Sequence, residues 1–206
     1  PSLMLGLPQP ITAATGMDAL THAIETMGHP NTGHFTLAHA ETSAKIIMQN
    51  LPKVVADGSD LLARQAMLNA SAMACNSVVN DLGASPIHNF AHALGAVCHI
   101  HHGEANGVLL PVVMEEFPDF YVPVADRLKG VFGVEGEGRD AVLACAAAIR
   151  ELLVQMGHPL DFARHDIPAS KMSEIVAAIA GDPLAAFLPI PMEIIESVCR
   201  RVCNWS

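Results

Sequence analysis

Apolar residues recur three and four positions apart along nearly the whole of this 206-residue chain, and runs of β-branched or aromatic residues in strict alternation are hard to find. That period belongs to the α-helix, so the chain is predicted to be all-α, one helical domain over residues 1–206 with enough length for a sizeable core. A composition of 51% hydrophobic and 16% charged residues argues against disorder.

Thr15 and Asp18 stand three apart, which has capping-box character, and Gly28-His29-Pro30 cannot easily continue a helix. A first helix is therefore expected from Thr15 to Met27, and a second from Thr36 to Gln49, stopped near Pro52. A third begins near Ser59 or Asp60, carries Leu61, Leu62, Ala66, Met67, Ala70 and Met73 on one side, and ends before Leu82-Gly83. Pro86 suits the first turn of a fourth that runs to about Val97. The stretch from Gly103 to Glu116 should be kinked or broken at Pro111. Shorter helices near 119–130, a long one from Arg139 to Met156, and two near 170–180 and 191–203 complete the series.

Eleven Lys and Arg against 21 Asp and Glu leave a formal charge of −10, and the few basic residues, such as Arg200 and Arg201, form no long stripe. Such a surface offers little to a phosphate backbone, so nucleic acid is not expected as a partner. No apolar run approaches the roughly 20 residues that cross a bilayer, and the start PSLMLGLPQP lacks the charged beginning and long apolar core of a signal peptide. A cytoplasmic protein without a membrane partner is the expectation. Cys75, Cys98, Cys145, Cys199 and Cys203 are odd in number, scattered and free of any CxxC, which reads as mostly buried, reduced thiols.

Five of the 11 histidines lie between 88 and 102: His88, His92, His99, His101 and His102. A His-x-x-x-His pair alone says little, since about 0.6 such pairs arise by chance at this density. The combination with Asp18 and His22 says more. Those two stand four apart on the first predicted helix, so a carboxylate and an imidazole emerge one turn apart on one face. His88 lies on the fourth helix and His102 just beyond the turn after it, so a helix, a short connection and the next helix start could bring both to one point. One carboxylate with three neutral imidazoles suits Fe(II) or Zn(II) and is poor for calcium or magnesium.

The stretch TAATGMDALTHAIE at Thr12 to Glu25, with IHNFAHALGAVCHIHHGEANGVLLP at Ile87 to Pro111, resembles the two signature segments of the iron-containing (group III) alcohol dehydrogenases. The match includes the spacing His88-x3-His92-x9-His102-Gly103 and weakens after about residue 135. Glycerol dehydrogenases, which hold zinc with fewer protein ligands, and dehydroquinate synthase resemble it less. The resemblance implies the helical C-terminal half of that fold, with Asp18, His22, His88 and His102 as metal ligands. It places His92 as a non-ligand histidine near nicotinamide and substrate, the candidate catalytic proton relay, and puts His92 and His102 beside the cofactor. The implied activity is oxidation of a small alcohol to an aldehyde or ketone, with hydride passed to NAD or NADP and iron as the expected metal, zinc being compatible. The family's nucleotide-binding α/β domain is expected to be absent: there is no Gly-Gly-Gly run, no GxGxxG after a strand and no βαβ pattern. The isolated chain should therefore be weakly active or inactive, and homo-oligomer formation stays open. The stretch from Gly181-Asp182-Pro183 to Pro191 keeps only an outline of the family pattern and receives no function.

Among the other residues, His99 and His101 read as loop histidines, and His29, His34 and His39 as surface residues or supports around the site. Phe90 reads as core or as a wall of the substrate pocket, Met67, Met73 and Met114 as core filling, and Glu115-Glu116 as a solvated helix end. Two rival readings remain beside the dehydrogenase. One is a stand-alone helical module that binds a divalent metal without redox turnover; the other is a fragment whose four would-be ligands diverge and bind no metal.

Overall fold

A computed structural model describes residues 1–81 and 85–205. Among the described residues ten α-helices run in order: α1 Gln9–Gly28, α2 His34–Ala56, α3 Leu61–Asp81, α4 Ile87–Cys98, α5 His102–Glu116, α6 Pro118–Tyr121, α7 Ala125–Phe132, α8 Gly138–Met156, α9 Met172–Ala180 and α10 Met192–Cys203. Short 3-10 turns join several of them, and no β-strand occurs among the described residues. The all-α expectation is met. No helix among the described residues is long and apolar enough to cross a membrane.

Several boundaries differ from the sequence expectation for identifiable reasons. α1 starts at Gln9 because Pro10 fits a helix's first turn, so Thr15 lies mid-helix, where its hydroxyl donates to the Ile11 carbonyl at 2.8 Å instead of capping. Pro52 lies inside α2 and Pro111 inside α5. Each proline forfeits one backbone hydrogen bond, yet the helices continue because the residues beyond the prolines are needed in the core: Val54 and Val55 in α2, and Val112, Val113 and Met114 in α5. The face of α3 is rotated from the one expected. Asp60 caps it by accepting from the Leu62 and Ala63 amides at 3.0 and 2.9 Å, which leaves Leu61 and Leu62 exposed and turns Ala63, Arg64, Met67, Ala70 and Ala74 inward. The stop expected at Leu82-Gly83 lies outside the described residues.

Buried Arg64 reaches from α3 to two neighbours, donating to the Gly58 carbonyl at 3.0 Å and the Thr12 hydroxyl at 3.1 Å. Ser43 of α2 donates to the Ala70 carbonyl at 2.7 Å, tying α2 to α3. α1 packs on α2, α3 and α5, and α5 in turn packs on α4, α8 and α10, so α1 and α5 form the axis of the bundle. Phe90 settles into the core, as do Met67 and Met114, while Met73 is half-buried. Glu115 and Glu116 are not a solvated end. Arg150 pairs with Glu115 at 2.7 Å, Arg201 pairs with Glu116 at 2.5 Å, and the Ser197 hydroxyl donates to Glu116 at 2.7 Å, fastening α8 and α10 to α5. All five cysteines are free; Cys145, Cys199 and Cys203 are buried, and burial pushes each of their thiols up to about 12.

Candidate metal centre

Asp18 lies near the middle of α1, His88 in the first turn of α4 and His102 at the start of α5. Their ligand atoms lie within 4.8 Å of one another, the one group of metal-capable side chains of this kind among the described residues. The His102 and His88 Nε2 atoms stand 3.2 and 3.5 Å from the same oxygen, Asp18 Oδ1. The approach of α5 to α1 depends on Gly103: a Cβ there would come within 2.4 Å of the Ala14 carbonyl oxygen, so any side chain would force the two helices apart. Between α4 and α5 the chain needs only residues 99–101. His99 ends α4 in the left-handed conformation at φ 57°, and His101 caps α5 by accepting from the Glu104 amide at 3.4 Å. Those two histidines thus have structural work, and neither joins the Asp18 cluster.

His22, one turn along α1 from Asp18, is placed differently from the other three. Its ring stacks on His88 with centroids 4.3 Å apart and planes 15° apart, and it falls outside the group whose donor atoms converge. His92, one turn along α4 from His88, stacks on His102 at 5.4 Å and 18°. The cluster opens to solvent on that side, with the His92 and His102 side chains 44% and 43% exposed against 3% for His88. Of the more distant histidines, His34 is exposed, and His39 is half-buried with its ring 4.2 Å from Phe35. His29 is buried at the end of α1, its Nδ1 accepting from the Asn31 amide at 3.4 Å.

Three further residues around the site received no role from the sequence: Glu25 and Asn106 lie inside the two signature segments, and Asp182 lies outside them. Glu25, fully buried on α1, grips the Nδ1 of His88 and the Ile87 amide, and also accepts from the His88 amide at 3.2 Å. With Nδ1 committed to Glu25, His88 presents Nε2 to Asp18, the arrangement in which an outer carboxylate orients a ligating imidazole. Glu25 lies seven positions after Asp18, two turns along the same stripe of α1, and that spacing is a signal the sequence did offer. Asn106, one turn after His102, donates from Nδ2 to Asp18 Oδ1 at 2.6 Å and stands 3.3 and 3.1 Å from the Nε2 atoms of His88 and His102. Its buried Oδ1 has no hydrogen-bond partner. The third is Asp182, which receives the Nδ1 of His92 at 2.7 Å across 90 residues of chain.

The charges reinforce one another. Burial would raise the Asp18 carboxyl, but hydrogen bonds with His102 and His88 hold it well below the usual carboxylate range. Burial, and then the positive charge of neighbouring His88, lower His22 to about 4. For His88 burial acts downward, yet the charge of Glu25 and hydrogen bonds to Asp18 and Glu25 carry it up to about 9. A compact set of one ionised carboxylate and imidazole nitrogens, with a buried carboxylate behind one imidazole, matches the donor chemistry of Fe(II) or Zn(II). The residues present fit such an ion.

The chain is similar to known proteins over most of its length. The model of the "Fe-containing alcohol dehydrogenase family, C-terminal" matches residues 12–195. The "Long-chain-alcohol dehydrogenase 1" of Geobacillus thermodenitrificans (strain NG80-2) is 32% identical over 199 residues, which cover 93% of this chain and 49% of that protein. The 1,3-propanediol dehydrogenase of Klebsiella pneumoniae is 37% identical over 167 residues, 77% of this chain and 42% of that one. The chain thus spans about half the length of these relatives or less. Among solved structures, a 1,3-propanediol oxidoreductase superposes with a TM-score of 0.85 at 30% identity, covering 98% of this chain and 54% of the other.

Proposed function

Because this chain belongs to the Fe-containing alcohol dehydrogenase family, as its C-terminal helical domain, we propose that it is the metal-binding half of an NAD(P)-dependent alcohol dehydrogenase. The observation that carries the reading is the convergence of Asp18, His88 and His102 donor atoms within 4.8 Å, at a face open to solvent. Asp18, His88 and His102 would hold the ion, with His22 turning its ring off His88 to complete the set. Iron, or zinc in its place, would supply Lewis-acid polarisation of the alcohol or carbonyl oxygen, and NAD(P) the hydride acceptor, carried mainly by an adjoining nucleotide-binding domain.

The residues of this chain do the rest. Asp18 stays ionised, so the site balances part of the charge of a divalent ion before substrate arrives. Glu25 keeps the His88 ring from rotating. His92 and His102 line the open side, where nicotinamide and substrate would approach. His92 takes the substrate's hydroxyl proton and passes it to water, a task its exposed ring on the open side of the cluster allows. The substrate is an alcohol or the corresponding aldehyde, as the names of the relatives imply for those proteins.

The first test is elemental analysis of the tag-free chain purified without oxygen, followed by addition of a nucleotide-binding domain. One iron or zinc per chain and alcohol-dependent reduction of NAD(P) on reconstitution are expected. Metal without turnover would favour a storage or sensing module, and absence of saturable binding would refute the metal assignment itself. A His92→Ala enzyme with unchanged rate and pH profile would remove His92 from the relay.

A further inference from the structure

On α4, two histidines one turn apart are each gripped at Nδ1 by a carboxylate from a distant part of the chain: His88 by Glu25 and His92 by Asp182. The second grip comes from a segment to which the sequence pattern attached no role. Asp182 opens the 3-10 turn Pro183–Ala186, where its Oδ1 accepts from the Leu184 amide at 2.8 Å, and its side chain is only 8% exposed although it lies in a connection between helices. The same turn is pinned to α4 at a second point. Asn89, with its amide oriented to satisfy both ends, accepts from the Ala185 amide at 3.0 Å and donates to the Ser85 hydroxyl at 2.7 Å.

We propose that Asp182 is the positioning residue of His92, fixing both the orientation of its ring and which nitrogen carries the proton. A carboxylate only accepts, so the 2.7 Å bond requires a proton on Nδ1 and, in the neutral ring, leaves the lone pair on Nε2. Held this way, the ring lies parallel to His102, against the metal ligands, with its accepting nitrogen on the edge away from Asp182. A free imidazole favours the opposite tautomer, which would present a donor where a proton has to be received. The functional meaning rests on the reading of His92 as the relay, whereas the tautomer itself does not.

The test is a long-range 1H–15N spectrum of the histidine rings in the 15N-labelled 206-residue chain at pH 8.5. The wild-type chain is expected to show His92 protonated at Nδ1 and bare at Nε2. Asp182→Ser keeps a hydroxyl able to cap the Leu184 amide but too short to reach His92, so the proton should move mainly to Nε2 while the backbone amides of residues 183–190 keep their shifts. Asp182→Asn has one acceptor oxygen where Asp182 uses two, Oδ1 on the Leu184 amide and Oδ2 on His92, so with that oxygen kept as the cap its NH2 faces Nδ1 and should likewise move the proton to Nε2. A wild-type ring protonated at Nε2, or an Asp182→Ser chain that still protonates Nδ1, would overturn the proposal. Neither result depends on turnover, so a failure of the His92→Ala kinetic test would leave this assignment standing, and the reverse holds as well.

Discussion

Replacing Glu25 with Gln should flatten the pH dependence of metal binding. In the metal-free chain the charge of Glu25 leads the upward influences that bring His88 to about 9, so at neutral pH the imidazole carries a proton that an incoming ion must displace. Each pH unit below that value lowers apparent affinity about tenfold, which makes binding at pH 7 about 100-fold weaker than its limit at high pH. Gln at 25 removes the charge, so His88 drops toward the ordinary 6.5 and most of this proton competition disappears; its single acceptor oxygen replaces a pair of which one serves the Ile87 and His88 amides and the other Nδ1. The limiting affinity of the variant should itself fall about 10–100-fold, because a neutral amide makes the imidazole a poorer donor.

The assay is Co(II) competition against a chromophoric chelator from pH 6.5 to 8.5, with circular dichroism confirming the helices. A rising wild-type line and a nearly level variant line are expected; a level wild-type line, or equal slopes, would refute the reasoning. Urea unfolding of the metal-free chain gives an independent check. Because the folded-state value of His88 lies above the unfolded one, its contribution is fully present below about pH 6.5 and lost as pH rises through about 9, an effect of about 3 kcal/mol. His22 acts on the other side: its value lowered to about 4 costs stability as pH falls from 6.5 toward 4.

Two further perturbations probe the same site. His22→Ala should weaken Co(II) binding at least tenfold if the ring leaves His88 to ligate, and an unchanged titration would confine His22 to stacking. Gly103→Ala should lower unfolding free energy by about 1–3 kcal/mol, since its Cβ would meet backbone atoms of Ala14 that cannot yield as a side chain could, and metal affinity should fall with it; thermal melts and the chelator assay read both.

The helical architecture was legible because a 3.6-residue period is written locally, and nine of the expected segments correspond to helices in the structure. What escaped was settled by distant contacts. Pro52 and Pro111 look like breakers in a local window, but the residues beyond them are required by the core. Leu61 and Leu62 look like core, but the Asp60 cap and the inward reach of Arg64 set the rotation of α3. In the site, Asp18, His88 and His102 stood out through their residue types and spacing, and the structure brings them together. Glu25 was visible only as a position on the Asp18 stripe, and Asp182 not at all, since nothing near residue 182 points to a histidine 90 positions earlier.

The short connection between α4 and α5 bears on how the site is assembled in time. His88 and His102 are 14 positions apart and joined by three residues outside helix, whereas Asp18 lies 84 positions before His102. Closing the longer loop costs about 1.6 kcal/mol more in chain entropy, so the helical hairpin of α4 and α5 has the shorter search and the docking of α1 comes at greater cost. During refolding, helical signal should therefore recover ahead of the capacity to retain an ion. Metal retention would then report that the first helix has reached its seat, a stage that helix content alone does not distinguish.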